Sequence, residues 1–195
     1  MTGSYYNVTA GAAGRVSVLA DLIPSMSHIG IVLVPDSDAS LRLFEELRGA
    51  ALEQNLDVFP MPVSSGKDVD HVFELAKSIG VQGVVTVTAA EMFAVRKEVA
   101  DAQNKYSLPT VMGSIGFPEL GGLAKYGPEV PALWVKMTSM IDAILTKRVA
   151  PAELPLITVD GFQLDVNLDS ARRLNVSIPG SILERAVRII SLDPK

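Results

Sequence analysis

The chain has 195 residues, of which 48% are hydrophobic and 20% charged, with a formal net charge of -5 and a pI near 5.0. This composition is typical of a globular protein with one large domain or two small lobes, and it excludes disordered and fibrous classes. The acidic balance and the lack of a basic cluster argue against nucleic acid and anionic membranes as partners. Because cysteine is absent, disulfides, thiolate nucleophiles and cysteine metal sites are excluded.

Strand and helix patterns alternate along the first half of the chain. Apolar runs predict strands at residues 28–34, 57–63, 83–88 and 108–112, and the prolines at 60 and 62 place the second of these at a sheet edge. Apolar residues at helical spacing predict helices over 39–54, 69–79 and 92–102. Such alternation is typical of a parallel sheet with right-handed crossovers. The predicted fold class is therefore α/β, with a three-layer, Rossmann-like parallel sheet.

The pattern changes after residue 112. Residues 113–131 are rich in glycine and proline, which predicts a long ordered loop or a chain crossing. A helix is predicted over 132–147, with an apolar face formed by Leu133, Met137, Ile141, Ile144 and Leu145. Two strands separated by Gly161 follow, and helices are predicted over 169–174 and 179–191.

In an open parallel sheet, ligands bind beyond the carboxyl ends of the strands, where loops lead into helices. The loops after three predicted strands supply six candidate ligand-binding residues: Ser37, Asp38, Thr88, Ala89, Ser114 and Ile115. Two of them also fit an ordinary structural role, because Ser37 suits a helix N-cap and Thr88 with Glu91 suits a capping box. Asp36 and Asp38 favour a positive helix end, disfavour an anion there and could attract an ammonium group.

Motifs for catalysis and cofactor binding are absent from the sequence. It has no G-x-S-x-G turn, no H-E-x-x-H pair and no Walker loop. Of the two histidines, His28 precedes a strand on its amino side and His71 lies within a predicted amphipathic helix. The GAAG run at residues 11–14 has no predicted strand before it, as a dinucleotide motif would require. The sequence therefore predicts a protein that is not an enzyme and needs no metal or cofactor.

Several motifs occur in a specific order in the second half of the chain. A G-G-L-x-x-Y-G turn covers residues 121–127, and P-A-x-L-P covers 151–155. An F-x-L-x-x-N-L-x-x-A segment covers 162–171 and precedes an Ile-Pro pair. Together they resemble the carboxyl half of bacterial ABC-transporter substrate-binding proteins of the amino-acid uptake type. The sequence departs from that family at Lys147, where glycine is common, at Ala39, where asparagine is usual, and near Ala89, where aspartate is common.

The resemblance implies the periplasmic-binding-protein type I fold, with two α/β lobes and a ligand cleft between them. It implies an N-terminal crossing segment at residues 1–12 and a ligand-binding lobe two formed by 13–112 with 156–195. Residues 113–155 would form a partial lobe one, and the first half of that lobe would lie upstream of this chain, together with the export signal or lipid-anchor region.

The function that the resemblance implies is that of a non-enzymatic solute-binding component of an ABC transporter. Its ligand would be a small amino-acid-like molecule of the aromatic or branched-chain kind, and its partner an ABC permease. Tyr126 is then the seventh candidate ligand-binding residue, offering a flat amphipathic ring at the cleft, and the alternative is a tyrosine packed beneath the following helix in a hinge turn.

An alternative function is a cytoplasmic ligand-sensing or protein-interaction module of the same α/β class. The resemblance implies a periplasmic or cell-surface location, whereas the chain as written has no signal-peptide pattern and predicts a cytoplasmic one. The apolar stripe of the helix at 132–147 predicts a homo-oligomer, because its sheet partners would lie upstream.

Overall fold

The computed structural model describes residues 2–6, 11–159 and 161–191, without the side chains of residues 6 and 159. The strands are β1 (Gly3–Tyr6), β2 (His28–Leu33), β3 (Asp57–Pro62), β4 (Gly83–Thr86), β5 (Thr110–Met112), β6 (Ala124–Pro128), β7 (Leu156–Val159), β8 (Phe162–Asn167) and β9 (Ala186–Ile190). The helices are α1 (Ala12–Leu22), α2 (Asp38–Glu53), α3 (Gly66–Ser78), α4 (Ala90–Ala94), α5 (Arg96–Tyr106), α6 (Val130–Leu145), α7 (Leu168–Arg173) and α8 (Gly180–Arg185). Much of the predicted crossing segment, residues 1 and 7–10, lies outside the described residues.

A mostly parallel sheet forms the larger part of the described chain. Its strands run in the order β3-β2-β4-β5-β6-β8-β9, and only the β6–β8 pairing is antiparallel. Helices α1 and α2 pack against each other, as do α3 and α5, and right-handed crossovers place the two pairs on opposite faces of the sheet. The α/β class is confirmed, and β3 lies at the sheet edge, as its two prolines predict.

The core is built from the strand residues that the sequence shows as apolar runs. Ile29, Ile31 and Val32 of β2 and Val84 and Val85 of β4 are fully buried, because helices cover both faces of these strands. Within the described residues, no helix has both the length and the apolar character needed to cross a membrane.

Several elements differ from the sequence predictions. The helix predicted over 92–102 is two helices, α4 and α5, that meet at Val95. The helix predicted over 179–191 ends at Arg185, because the β-branched run that follows pairs with β8 as strand β9. Strand β1 and helix α1 have no counterpart in the predictions. A strand therefore does precede the GAAG run, although the ring of Phe162 covers Gly11 and that of Tyr126 covers Gly14.

The segment assigned to a partial lobe one divides differently in the structure. Strand β6 lies within the predicted 113–155 segment but pairs with β5 on one side and β8 on the other. Residues up to Pro128 therefore belong to the large sheet, and the segment that leaves it begins at Glu129. Local sequence did not reveal this strand, because its residues AKYGP form no apolar run.

A small second unit is formed by β1, β7 and α6. Strands β1 and β7 pair in parallel, α6 packs on β7, and Lys136 Nζ donates to the carbonyl oxygen of Thr158 at 2.9 Å. Leu133 is buried, and Met137 is partly covered and accepts a hydrogen bond from Ser4 Oγ. The apolar stripe of α6 is therefore only partly in water.

The two units meet where the chain leaves β6 and enters β8. The Glu129 amide donates to the carbonyl oxygen of Gly161 at 3.1 Å, which ties these two crossings together. The rings of Tyr126 and Phe162 stack beside them, with centroids 5.8 Å apart. This junction lies at the edge of the large sheet where β4 and β5 also end.

Candidate functional site

A cavity of about 390 Å³ lies beyond the carboxyl ends of β4, β5 and β6. Its lining residues are Thr88, Ala89, Ala90, Phe93, Gly113, Ser114, Ile115, Pro128 and Val130. Most of the wall is apolar, formed by alanine, phenylalanine, isoleucine, proline and valine. The polar side chains of the lining are the hydroxyl groups of Thr88 and Ser114. This volume and this mixture are typical of a site for a small ligand with an apolar body.

The polar side of the cavity is built on Thr88. Arg15 extends from the first turns of α1 beneath the sheet edge, and its Nη1 donates to Thr88 Oγ1 at 2.5 Å. Because Thr88 Oγ1 accepts this hydrogen bond, its own proton is free to donate to another group. Thr88 therefore presents a hydrogen-bond donor at the cavity.

Arg15 itself is fully buried. Burial lowers the pKa of its guanidinium to about 10, an effect that the Tyr126 phenol partly opposes. A shift of this size corresponds to roughly 3 kcal/mol of unfavourable burial. Below pH 10 the folded and unfolded chains both hold the proton, so this cost is fully present at neutral pH and disappears only as the pH rises through about 10 toward the unfolded value.

Two glycines allow the strand ends to approach closely at the cavity floor. A Cβ atom on Gly113 would lie 2.2 Å from Thr88 Oγ1 and 2.5 Å from Arg15 Nη1, so only glycine leaves room for both groups. A Cβ atom on Gly127 would lie 2.0 Å from the carbonyl oxygen of Gly113. The floor of the cavity therefore depends on close backbone contact between the ends of β5 and β6.

The structure brings four of the seven predicted ligand-binding residues together. Thr88, Ala89, Ser114 and Ile115 all line the cavity. The capping-box alternative for Thr88 is wrong, because α4 begins at Ala90, Ala89 occupies its N-cap position, and no side-chain hydrogen bond caps it within the described chain. Whether these four residues contact a ligand stays a prediction.

Ser37 and Asp38 lie apart from this cavity. Both follow β2, which neighbours β4, so they lie at the same edge of the sheet but do not line the cavity wall. Ser37 is the N-cap of α2 and accepts from the Ser40 amide at 3.3 Å, as the structural alternative predicts. Asp38 is exposed in the first turn of that helix.

Tyr126 lies near the cavity but is not part of its lining. Its ring stacks on Phe162 and packs against Gly14, where a Cβ atom would lie 2.2 Å from the ring. This geometry favours the packing alternative over direct ligand contact, although the ring packs on α1 rather than beneath α6. Direct contact with a ligand stays a prediction for this residue.

Several cavity residues were not predicted from the sequence. Phe93, Pro128 and Val130 contribute apolar wall, and Arg15 supports Thr88 from below. One signal for Arg15 existed, since it follows Ala12 by three positions and precedes Leu19 by four, and so shares the buried stripe of α1. Within the described residues, no group of three or more histidine, aspartate or glutamate side chains could hold a metal ion.

Comparison with known families identifies this architecture. The model of the family described as ABC transporter substrate binding protein matches residues 7–190. The chain belongs to that family. A search of curated proteins finds no match for this family member.

Solved structures share the fold of this substrate-binding protein. The ABC domain from Streptococcus pneumonia in complex with L-Trp superposes with a TM-score of 0.83 at 23% identity, covering 97% of this chain and 64% of that one. A conserved domain protein from Vibrio cholerae gives a TM-score of 0.80 at 20% identity, covering 92% of this chain and 60% of that one. The ligand-free, open structure of a substrate binding protein with adhesive properties from Clostridium difficile gives 0.67 at 18% identity, covering 92% and 59%. This chain thus spans less than two thirds of the length of each of these proteins.

Proposed function

We propose that this protein binds a small amino-acid-like solute for an ABC transporter and has no catalytic activity. The observation that carries the proposal is the cavity at the carboxyl ends of β4, β5 and β6, where four residues singled out from the sequence meet. The family match supports a role in substrate binding. Ligands of open α/β sheets bind at this edge, where side chains from successive loops converge.

The wall chemistry favours a solute with an apolar side chain. Phe93, Ile115 and Val130 offer apolar surface, while Thr88 and Ser114 offer hydrogen bonds to a polar end of the solute. A molecule with one apolar end and one polar end matches this division. The complex of the Streptococcus protein with L-Trp supports an aromatic amino acid as the first solute to test.

Binding by this chain alone is expected to be weak. Much of the affinity of a cleft comes from enclosing a ligand on both sides. Here the lining residues come from the large sheet and from the chain crossing at Val130. If enclosure by two complete lobes gives a dissociation constant of about 1 μM, or about -8 kcal/mol, half of that free energy corresponds to about 1 mM. We therefore expect near-millimolar affinity.

We further propose two protein partners. The first is an ABC permease, which places the working protein in the periplasm or at the cell surface. The second is another copy of this chain, because Trp134 and Leu145 of α6 are 57% and 74% exposed, and within the described residues no third strand pairs with β1 or β7. Pairing of two such faces would cover apolar surface that is otherwise in water. The small unit of β1, β7 and α6 would then correspond to a partial lobe one.

Calorimetric titration with L-tryptophan, L-phenylalanine, L-tyrosine, L-leucine and L-isoleucine tests the proposed function. At least one of them should bind, and Ala89→Phe should abolish binding because its ring would fill the cavity. Ala94→Phe is the matched control, since Ala94 is the last residue of the helix that Ala89 precedes, is exposed and does not line the cavity. The proposal would be contradicted if none of the five amino acids bound at 10 mM, a concentration roughly tenfold above the expected dissociation constant. It would also be contradicted if Ala89→Phe bound them as well as the wild type does.

A further inference from the structure

The guanidinium of Arg15 lies directly beneath the cavity floor. Its Nη1 contacts Thr88 Oγ1, and the same nitrogen would lie 2.5 Å from a Cβ atom on Gly113. Thr88 and Gly113 both line the cavity. The cation is thus separated from the cavity by little more than one hydroxyl group and one glycine backbone.

This cation lacks the partners that normally accompany a buried arginine. Its Nε and Nη2 have no hydrogen-bond partner among the residues that the structure describes. No carboxylate forms a salt bridge with it in the described ranges, and the group that favours its charged form is the Tyr126 phenol. A buried guanidinium is normally paired, because an unpaired charge and unsatisfied donors are both costly.

The position of Arg15 in its helix adds to this cost. It lies in the first turns of α1, where the helix dipole is positive and a cation is unfavourable. The first turn contains no acidic residue, and Gly11 at the N-cap offers no side-chain acceptor to the free backbone N–H groups. Burial, unsatisfied donors and its place in the helix therefore all make the Arg15 cation costly in the folded chain.

An anion in the cavity would offset the uncompensated charge of Arg15. The Thr88 hydroxyl would donate to it, and the Arg15 charge would lie immediately behind that hydroxyl in a poorly solvated setting, where charge interactions are strong. A single positive charge matches a single negative one, and the apolar walls match an apolar body. We propose that the cavity selects a monocarboxylate, with its carboxylate against Thr88 and its charge balanced by Arg15. This inference rests on the proposed function and assigns the orientation of the solute within the same site.

The proposal predicts a trade-off between stability and binding at Arg15. In Arg15→Met the buried cation and its unsatisfied donors are removed, so the unliganded variant should have a higher thermal midpoint than the wild type. The same variant should lose its preference for anionic ligands. A merely structural arginine would behave in the opposite way, because its loss would lower the thermal midpoint.

The test uses 3-phenylpropionate and its uncharged analogue 3-phenylpropanamide, which share the same apolar body, while the amide replaces one charged carboxylate oxygen with a neutral NH2 group. Calorimetry on the wild type should show at least tenfold tighter binding of the carboxylate, and Arg15→Met should bind the two probes equally. Arg48→Met is the matched control, because it removes one exposed positive charge from α2 and should leave the preference unchanged. Equal binding of both probes by the wild type, no binding of either, or an unchanged preference in Arg15→Met would overturn the proposal.

A second pair of variants keeps the test valid if Arg15→Met does not fold. Thr88→Val removes the hydroxyl at the cavity and should weaken carboxylate binding at least fivefold. Thr86→Val is the control, since Thr86 is buried in β4 and does not line the cavity. Equal losses in both variants, or none in Thr88→Val, would overturn the proposal.

The result is separable from that of the amino-acid titration. If amino acids bind but the probe preference does not depend on Arg15, only this inference fails. If the probes behave as expected but no amino acid binds, only the proposed solute class fails.

Discussion

Replacing Gly127 with alanine should destabilise the protein by separating the ends of β5 and β6. The added Cβ atom would lie 2.0 Å from the carbonyl oxygen of Gly113, whereas ordinary contact begins at 3.4 Å. The two backbones must therefore move apart by about 1.4 Å, and no side-chain rotation can relieve the overlap because the obstructing atom belongs to the main chain. Overpacking of one methyl group typically costs about 1–3 kcal/mol, and a clash with backbone belongs at the upper end of that range.

The measurement is urea unfolding followed by circular dichroism. With a slope of about 2 kcal/mol per molar, a loss of 2–3 kcal/mol lowers the midpoint by about 1 M. Gly49→Ala is the matched control, because a Cβ atom there meets nothing within 4 Å and alanine favours the interior of α2. That variant should gain about 0.5–1 kcal/mol. A Gly127→Ala protein as stable as the wild type would refute the close approach of the two strand ends.

The remaining predictions concern the sheet, the exposed helix and catalysis. Val85→Asp should lower the free energy of unfolding by several kcal/mol, because it buries an unpaired charge in a strand that pairs on both sides. Val187→Asp, at an exposed position of β9, should lower it by less than about 1 kcal/mol. Similar losses for the two variants in urea unfolding would show that β4 is not central. Sedimentation should show that the wild type self-associates and that the Trp134→Lys, Leu145→Lys double variant is a monomer. A wild type that stays monomeric at 100 μM, about a hundred times a dissociation constant of 1 μM, would contradict pairing through α6. Incubation with ester, phosphate and nicotinamide substrates should give background product only, and turnover that Thr88→Val abolishes would contradict the non-enzymatic proposal.

The central part of the fold was predictable because its signals are local. The apolar runs of β2 and β4 report burial on both faces of a parallel sheet, and the two prolines of β3 report an edge. Strand β9 was predicted as the second half of a helix over 179–191. Its pairing with β8 decided the outcome, and that contact lies outside any local window.

The candidate site was predictable only where topology determines it. The rule that ligands bind at the carboxyl ends of parallel strands selects Thr88, Ala89, Ser114 and Ile115, but it also selects Ser37 and Asp38, which do not line the cavity. Arg15 could not be selected in this way, because its partner Thr88 lies 73 positions away in sequence. Tyr126 lies in a glycine-rich turn, but there Gly127 serves the contact between the strand ends and Gly122 makes room for the Phe117 ring, while the Tyr126 ring packs on Gly14 of α1.

Nuclear magnetic resonance titration of the labelled protein with L-tryptophan tests whether the solute binds in the cavity at β4, β5 and β6, because it detects millimolar binding and locates it. The amide signals of Thr88, Ala89, Ser114 and Ile115 should shift in a saturable manner. Signals at the opposite edge of the sheet, where a second cavity of about 560 Å³ is lined by Gln82 and others, should stay unchanged. Shifts concentrated at that opposite edge, or none at the four amides with any of the five amino acids, would contradict solute binding in this cavity.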